Sequence, residues 1–300
     1  MSALPALAAP RRLALILSAA ALALGIWFVI SALAEPYDWT RVGMGHDARP
    51  YWTADSAAPY LTSRVGDQDA YLYSPAFLQV IEPLRSLPWQ AFLAGWTAIL
   101  LLATVALVGP VLAAPVLLLV IPELIGGNIS LLLALAIVAG TRWPAAWAFV
   151  LLTKVTPGIG LLWFAVRREW RSLGIALGAT AAIAAVSALV APEAWAAWLG
   201  VLAGNAGSPI GSGSFLVPPL LVRLPIAALV VVWGARTNRP WVLPIAALVA
   251  LPVIWYGSLA ILVGVIPLLG DRLRGWDWPA AAEAVRWRVG RGEEREAQGA

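Results

Sequence analysis

Apolar runs of membrane-spanning length, separated by short polar turns, cover most of the chain. The first run, 13–34, has 22 residues without a charge and follows Arg11 and Arg12. About 20 apolar residues span the hydrocarbon core of a bilayer. A basic start and an apolar core are also typical of a cleaved signal peptide, but the run is long for one and more apolar segments follow. We therefore predict a retained first span.

Further apolar segments follow a long polar stretch at 35–88. They are 91–109, 111–125, 129–140, 144–166, 173–191, 216–235 and 241–270. Glycine and proline interrupt many of them, at Gly109-Pro110, Gly126-Gly127-Asn128, Pro157-Gly158 and Pro218-Pro219. Broken helices at membrane depth are tolerated where they line a cavity or are buried in protein.

Some of these segments are too short to cross a bilayer unbroken. We predict that 144–166 is a broken hairpin turning near 154–157, and that 241–270 is long enough for a tight hairpin. The pattern predicts an all-α polytopic integral membrane protein, a helical bundle of about eight full crossings plus the broken hairpin. Residues 1–270 then form one transmembrane domain, and 271–300 form a polar cytoplasmic tail.

Arginines set the predicted orientation, because basic residues concentrate in cytoplasmic loops. They place both termini, 167–171 and 236–239 in the cytoplasm. The loop 35–88 and the segment 192–215 are then extracytoplasmic. We therefore predict a multi-pass protein of the cell membrane with an extracytoplasmic active site.

Composition supports this interpretation. Hydrophobic residues make up 61% of the chain, charged residues 12%, and the mean hydropathy is +0.82. Soluble domains have about 45–50% apolar and about 25% charged residues. Cysteine is absent, which excludes disulfides and thiolate chemistry, and the single histidine excludes a multi-histidine metal site. The net charge of +4 does not indicate nucleic-acid binding, because the basic residues lie mostly between apolar runs or in the tail.

The loop 35–88 is the leading candidate for chemistry. It holds seven acidic residues and four arginines, and loops of this length tend to be functional. Carboxylates alternate with aromatic residues in a pattern that suits sugar binding, since carboxylates accept from hydroxyls and rings cover the apolar sugar face. These residues include His46, Asp47, Tyr51, Tyr60, Asp67, Asp69 and Tyr73. A folded polar loop with ordinary surface acids is the alternative.

Three polar residues interrupt the apolar segments. Lys154 is a functional candidate because ionisable groups at membrane depth are costly, and its amine could hold a lipid phosphate; alternatively it reaches water. Asn128 contacts a ligand or caps the next helix. Arg223 pairs with phosphate or with an acid from another helix. The Gly/Ser-rich segment 205–214 is a mobile lid or a plain connection, and it lacks the phosphate-binding loop pattern.

Four stretches carry a likeness to a known family over roughly 40–175. They are Asp47-Ala-Arg-Pro-Tyr51-Trp52 with Tyr60; Tyr71-Leu-Tyr-Ser-Pro75-Ala-Phe77 with Glu82-Pro83-Leu84 and Leu87-Pro88; Gly127-Asn128-Ile-Ser-Leu-Leu; and Lys154-Val-Thr-Pro157 with Arg167-Arg168-Glu-Trp170-Arg171. Together they resemble the polyprenol-phosphate-dependent glycosyltransferases of glycosyltransferase family 87, which have the GT-C fold. Asn128 stands where the family usually has glutamine, and Ser74 stands where it usually has proline.

The resemblance implies a reaction. Family members take a sugar, usually mannose, from a polyprenyl phosphate carrier on the outer face and transfer it with inversion to a hydroxyl of a lipid or glycan acceptor. It implies that Asp47 is the general base, and that Lys154, then Arg49 and Arg223, hold the donor phosphate. His46, Tyr51, Tyr60, Tyr73 and Asn128 are then expected at the sugar or acceptor. No cofactor or metal is required, although Asp67 and Asp69 could supply oxygen ligands to a hard cation.

Two alternatives stay open at this point. One is a lipid or solute transporter, or a non-catalytic membrane partner of an envelope assembly. A transporter should have matched broken helices in two halves, whereas the long polar loop occurs once. The other keeps the enzyme but gives it a different donor, such as arabinose or glucose on polyprenyl phosphate.

Overall fold

The computed structural model describes residues 16, 44–60, 69–205 and 217–269, and this part of the chain is all-α, as predicted. Its helices are α1 (Arg49–Thr53), α2 (Pro75–Arg85), α3 (Trp89–Leu119), α4 (Ile121–Gly126), α5 (Ser130–Gly140), α6 (Trp147–Thr153), α7 (Leu162–Val166), α8 (Trp170–Val190), α9 (Pro192–Asn205), α10 (Leu220–Arg236), α11 (Val242–Val249) and α12 (Val265–Leu268). Three 3₁₀ segments lie at Pro144–Ala146, Thr156–Leu161 and Gly257–Gly264. Apart from residue 16, the predicted first span lies outside the described residues, as do Asp67, most of 205–214 and the tail 271–300.

Two helices of the described part are long and apolar enough to cross a membrane: Trp89–Pro110 within α3, and α8. The former ends at a kink, because Gly109 takes φ 73° and ψ 162° and Pro110 follows it. The predicted total of about eight crossings is therefore not shown and stays a prediction. Helix α8 buries only Ala176 and Ser187, so an almost wholly apolar helix presents most of its surface outward. That exposure suits contact with lipid.

The segment 144–166 folds back on itself, as the sequence predicts. Helix α6 ends at Thr153, and Lys154 takes extended geometry at φ −133° and ψ 102°. In the returning arm, Gly158 lies against Leu151 and Gly160 lies against the ring of Trp147, with no room for a Cβ at either glycine. Residues after Lys154 thus pack against residues before it, as in a hairpin. Lys154 lies at the tip of this hairpin.

The segment 241–270 forms the second predicted hairpin. Helix α11 is its first arm and Gly257–Gly264 is its second, and a Cβ at Gly264 would lie 3.1 Å from Cγ of Pro244. At the start of the second arm, Gly257 lies against Glu123 of α4.

Helix α5 lies at the centre of the fold. Leu131, Leu133, Ala134 and Ile137 on it are fully buried. It packs against α3, α6 and the segment Gly257–Gly264. A helix that is apolar all round is expected in such a buried position.

One helix was not predicted. The sequence predicts an extracytoplasmic segment at 192–215, and in the structure 192–205 form α9. Trp198 of α9 is buried, and its indole N–H donates to the carbonyl of Leu72 at 3.2 Å. Helix α9 therefore packs onto the first polar loop.

Candidate active site

The segment that carries Asp47 is bound to the turn between α4 and α5. The N–H of Gly45 donates to the carbonyl of Ile125 at 2.7 Å, and that of Asp47 donates to Gly126 at 2.8 Å. Gly127 takes φ 74°, and a Cβ there would lie 2.8 Å from Cβ of Ala48. Only glycine fits both this left-handed conformation and this close approach. The turn thus holds Asp47 beside Asn128.

Asp47 is anchored through one oxygen. Its Oδ2 accepts a hydrogen bond from Nδ2 of Asn128 at 3.0 Å, and Nε2 of His46 lies 3.8 Å from the same oxygen. Within the described residues, no hydrogen bond reaches Oδ1. The side chain is 32% exposed, so solvent reaches the carboxylate.

Asn128 connects Asp47 with Lys154. Its Oδ1 accepts a hydrogen bond from Nζ of Lys154 at 3.3 Å, and its Nδ2 donates one to Oδ2 of Asp47. One amide therefore orients both a positive and a negative side chain. Ile129, and not Asn128, occupies the N-cap position of α5. The Asn128 Oδ1 atom instead accepts from the N–H of Ile129 at 2.8 Å, which fixes the amide.

Glu123 is a member of this group that the sequence analysis did not assign. Its side chain is fully buried, and its Oε1 accepts from the N–H of Ser130 at the start of α5. Its carbonyl accepts the N–H of Gly127 at 2.7 Å, in the turn that holds Asp47. Its place in an apolar segment is the signal that would have found it, since a buried carboxylate is costly.

The tyrosines form a packed cluster next to Asp47. Tyr51 is fully buried, and its hydroxyl donates to that of Tyr73 at 2.9 Å. The hydroxyl of Tyr60 donates to the carbonyl of Tyr73 at 2.7 Å. Burial raises the pKa of Tyr51 and of Tyr73 well above the ordinary value, so both hydroxyls stay neutral. Tyr51 also contacts the ring of Phe77, which fixes the loop against α2.

The two candidate arginines lie apart from this network. Nε of Arg49 lies 3.4 Å from Oδ2 of Asp69, and its side chain is 54% exposed. Arg223 is buried, and its guanidinium donates to four backbone carbonyls, those of Pro218, Val249, Leu251 and Pro252. Among the described residues its partners are therefore carbonyls and not the acid that was one of its two predicted partners. Its bonds hold the turn of the second hairpin.

In the part of the chain that the structure describes, no group of three or more His, Asp or Glu side chains is placed to hold a metal ion. Asp69 is described and pairs with Arg49. Asp67 lies outside the described residues, so a cation site shared by the two aspartates stays a prediction.

The structure thus brings together Asp47, Asn128, Lys154 and Glu123, with His46 at the edge. A partly exposed carboxylate and an ammonium therefore share one amide. That arrangement suits transfer between a hydroxyl and an anionic leaving group.

Comparison with known proteins identifies a family. The model of glycosyltransferase family 87 matches residues 71–286, which is more than half of the chain. Asn128 and Lys154 fall inside the matched region, whereas Asp47 precedes it. No curated protein and no solved structure matches the chain.

Proposed function

The chain belongs to glycosyltransferase family 87, and from this membership and the geometry around Asp47 we propose that it moves a mannosyl group from polyprenyl phosphate to a hydroxyl of a lipid or glycan acceptor, with inversion. The family makes it a membrane glycosyltransferase. The single observation that supports the proposed reaction is the hydrogen-bonded series Asp47–Asn128–Lys154.

Asp47 acts as the general base. The acceptor hydroxyl donates to its free Oδ1, and its oxygen attacks the anomeric carbon of the donor sugar. The proton passes to Asp47 as the new glycosidic bond forms. Asn128 holds Oδ2 throughout, so the carboxylate does not rotate away from the acceptor.

Lys154 stabilises the leaving group. The bond between the anomeric carbon and the phosphate oxygen breaks, and polyprenyl phosphate leaves as a monoester anion. Its growing charge requires a cation placed in advance. Lys154 has one hydrogen bond within the described residues, to Asn128, which leaves N–H donors of its ammonium for phosphate.

The remaining candidates take supporting roles. His46 is half-buried beside Asp47 and is positioned to contact the acceptor or the sugar. Tyr51 and Tyr73 fix the loop that carries the base. We assign Arg223 to the fold, because phosphate binding would require its carbonyl bonds to break.

Transfer of radiolabelled mannose from polyprenyl-phosphate-mannose, in membranes that contain the chain, tests the proposal. We expect a labelled product that is absent from membranes lacking the chain. Transfer from polyprenyl-phosphate glucose or arabinose alone would keep the enzyme and overturn the donor. No transfer from any of these donors, with the protein inserted, would overturn the proposal and favour the transporter or partner alternative.

We further propose that the site faces the extracytoplasmic side and that both termini are cytoplasmic. Ala57, in the first loop, and Ala145, in the turn before α6, are both exposed. The chain has no cysteine, so Ala57→Cys and Ala145→Cys each introduce a single thiol. An impermeant maleimide should label Ala57→Cys in intact cells and Ala145→Cys only after permeabilisation. The reverse pattern would place the site in the cytoplasm.

A further inference from the structure

Several arginines reach the surface where the ends of α5, α7 and α10 lie together with the start of α8. The guanidinium of Arg167 donates to the carbonyl of Ala235 at 3.3 Å and to Oδ1 of Asn238 at 3.0 Å, which joins the ends of α7 and α10. Trp147 lies against both Gly140 and Gly160, which brings the end of α5 to the same side of the first hairpin. We call this region the arginine surface; its members are Arg142, Arg167, Arg168, Arg171, Arg236 and Arg239.

The positive charge of the arginine surface is largely uncompensated. Among the described residues, Glu169 is the only carboxylate in an ion pair with one of these arginines, and its Oε1 lies 2.6 Å from Nε of Arg167. The other five arginines have no acidic partner within the described part of the chain. Like charges gathered on one surface raise its potential and attract anions.

Tryptophans place this surface at the boundary of the membrane. The guanidinium of Arg142 lies 5.7 Å from the ring of Trp143, and that of Arg239 lies 5.0 Å from the ring of Trp233. Both rings are exposed, as is Trp170, the first residue of the candidate membrane span α8. Exposed tryptophan and arginine at the end of a span are typical of the headgroup level of a bilayer.

Arg168 occupies a backbone position that favours glycine. Its φ is 57°, in the left-handed region. Its N–H donates to the carbonyl of Ala165 at 3.1 Å, and the N–H of Glu169 donates to that of Phe164 at 2.8 Å. This pair of bonds forms a helix ending in which glycine is the usual residue. The turn itself does not require an arginine, so the charge of Arg168 needs another explanation.

We propose that the arginine surface binds the phosphate headgroups of anionic phospholipids. A guanidinium presents paired donors that match the oxygens of a phosphate. The tail 271–300 is a weaker candidate for this surface, because it has six acidic residues and six arginines and therefore no net negative charge. Sugar transfer does not enter the argument, so the proposal stands or falls separately from the proposed function.

Thermal unfolding of the full chain in a neutral detergent, titrated with dioctanoyl phosphatidylglycerol, tests the proposal. Binding to the folded chain raises the Tm, and the dependence on lipid concentration gives an apparent Kd. Dioctanoyl phosphatidylcholine is the matched control, because it has the same phosphate without a net charge. Inorganic phosphate tests for binding of a free anion. We expect a rise in Tm with phosphatidylglycerol and little change with the other two.

Charge-removing variants assign the effect to the arginine surface. Arg142, Arg168 and Arg236 make no side-chain hydrogen bond within the described residues, so replacing all three with glutamine removes charge without removing such a bond. Each arginine near an anionic lipid surface contributes about fivefold in affinity, so the triple variant should bind phosphatidylglycerol roughly 100-fold more weakly. The same three positions changed to lysine keep the charge and should stay within a few-fold of the wild type.

Arg168→Gly separates charge from folding. Without lipid its Tm should equal or exceed that of the wild type, because glycine adopts the left-handed conformation freely. Its affinity for phosphatidylglycerol should nevertheless fall about fivefold. Wild-type affinity in both this variant and the triple glutamine variant would overturn the proposal. An equal response to phosphatidylcholine or to inorganic phosphate would also overturn it, as would no response to any of the three.

Discussion

Replacing Asp47 with asparagine is expected to lower the rate of sugar transfer by about 10²–10⁴-fold, the usual contribution of a general base. The amide of asparagine does not take the acceptor proton at neutral pH. Its carbonyl oxygen still accepts the hydrogen bond that Asn128 now donates to Oδ2. The loss should therefore appear in the chemical step, measured as kcat with donor and acceptor both saturating.

Asp55→Asn is the matched control for this change. Asp55 lies in the same loop, is exposed, and accepts the N–H of Ala57 at 2.9 Å. We expect its transfer rate to stay within a few-fold of the wild type, because exposed polar groups contribute about 1 kcal/mol or less. Retained activity in Asp47→Asn would remove Asp47 as the base and direct attention to the other aspartates of the loop.

Much of the fold could be predicted from glycine and proline positions. The kink at Gly109, the turn at Gly127 and the breaks near Pro157 and Pro218 all lie where the apolar runs are interrupted. Proline removes a helical N–H, and glycine tolerates left-handed backbone geometry. Both effects are local, so they can be predicted from a single sequence.

The contacts of individual polar groups were less predictable, because they depend on residues distant along the chain. Three of the four carbonyls that accept from Arg223 belong to Val249, at the end of α11, and to Leu251 and Pro252 in the turn that follows, and backbone atoms leave no sequence signal. Glu123 is buried because Gly257 closes over it, which requires the second hairpin to be placed. Helix α9 was not predicted because its 14 residues are too few for a straight membrane span.

The grouping of Asp47, Asn128 and Lys154 could be predicted in part. The sequence and the family resemblance selected all three as site candidates. The structure adds that Asn128 bonds both charges, and that only one oxygen of Asp47 is engaged by the described residues. Oδ2 of Asp47 is therefore the oxygen that holds the carboxylate in place, and Oδ1 is the oxygen that remains for the acceptor.

Lys154→Gln is expected to lower kcat by about 10²–10³-fold, the usual loss when one group stabilising transition-state charge is removed. Glutamine can still donate to Oδ1 of Asn128, so the hydrogen-bonded series persists without its positive charge. The measurement is single-turnover transfer from polyprenyl-phosphate-mannose at saturating acceptor. Thermal unfolding in detergent should match the wild type, which separates lost chemistry from lost fold.

Comparison with Arg49→Gln decides which cation holds the phosphate. Arg49 is exposed and lies near Asp69, so its charge is partly neutralised and screened by water. Lys154 shares an amide with the proposed base and lies at the tip of a hairpin between α4 and the first loop. We therefore expect the loss in Arg49→Gln to be at least about tenfold smaller than in Lys154→Gln, since exposed charges contribute little. Equal losses would mean that both cations contact the donor; a larger loss in Arg49→Gln would move the phosphate to the loop and contradict the role of Lys154.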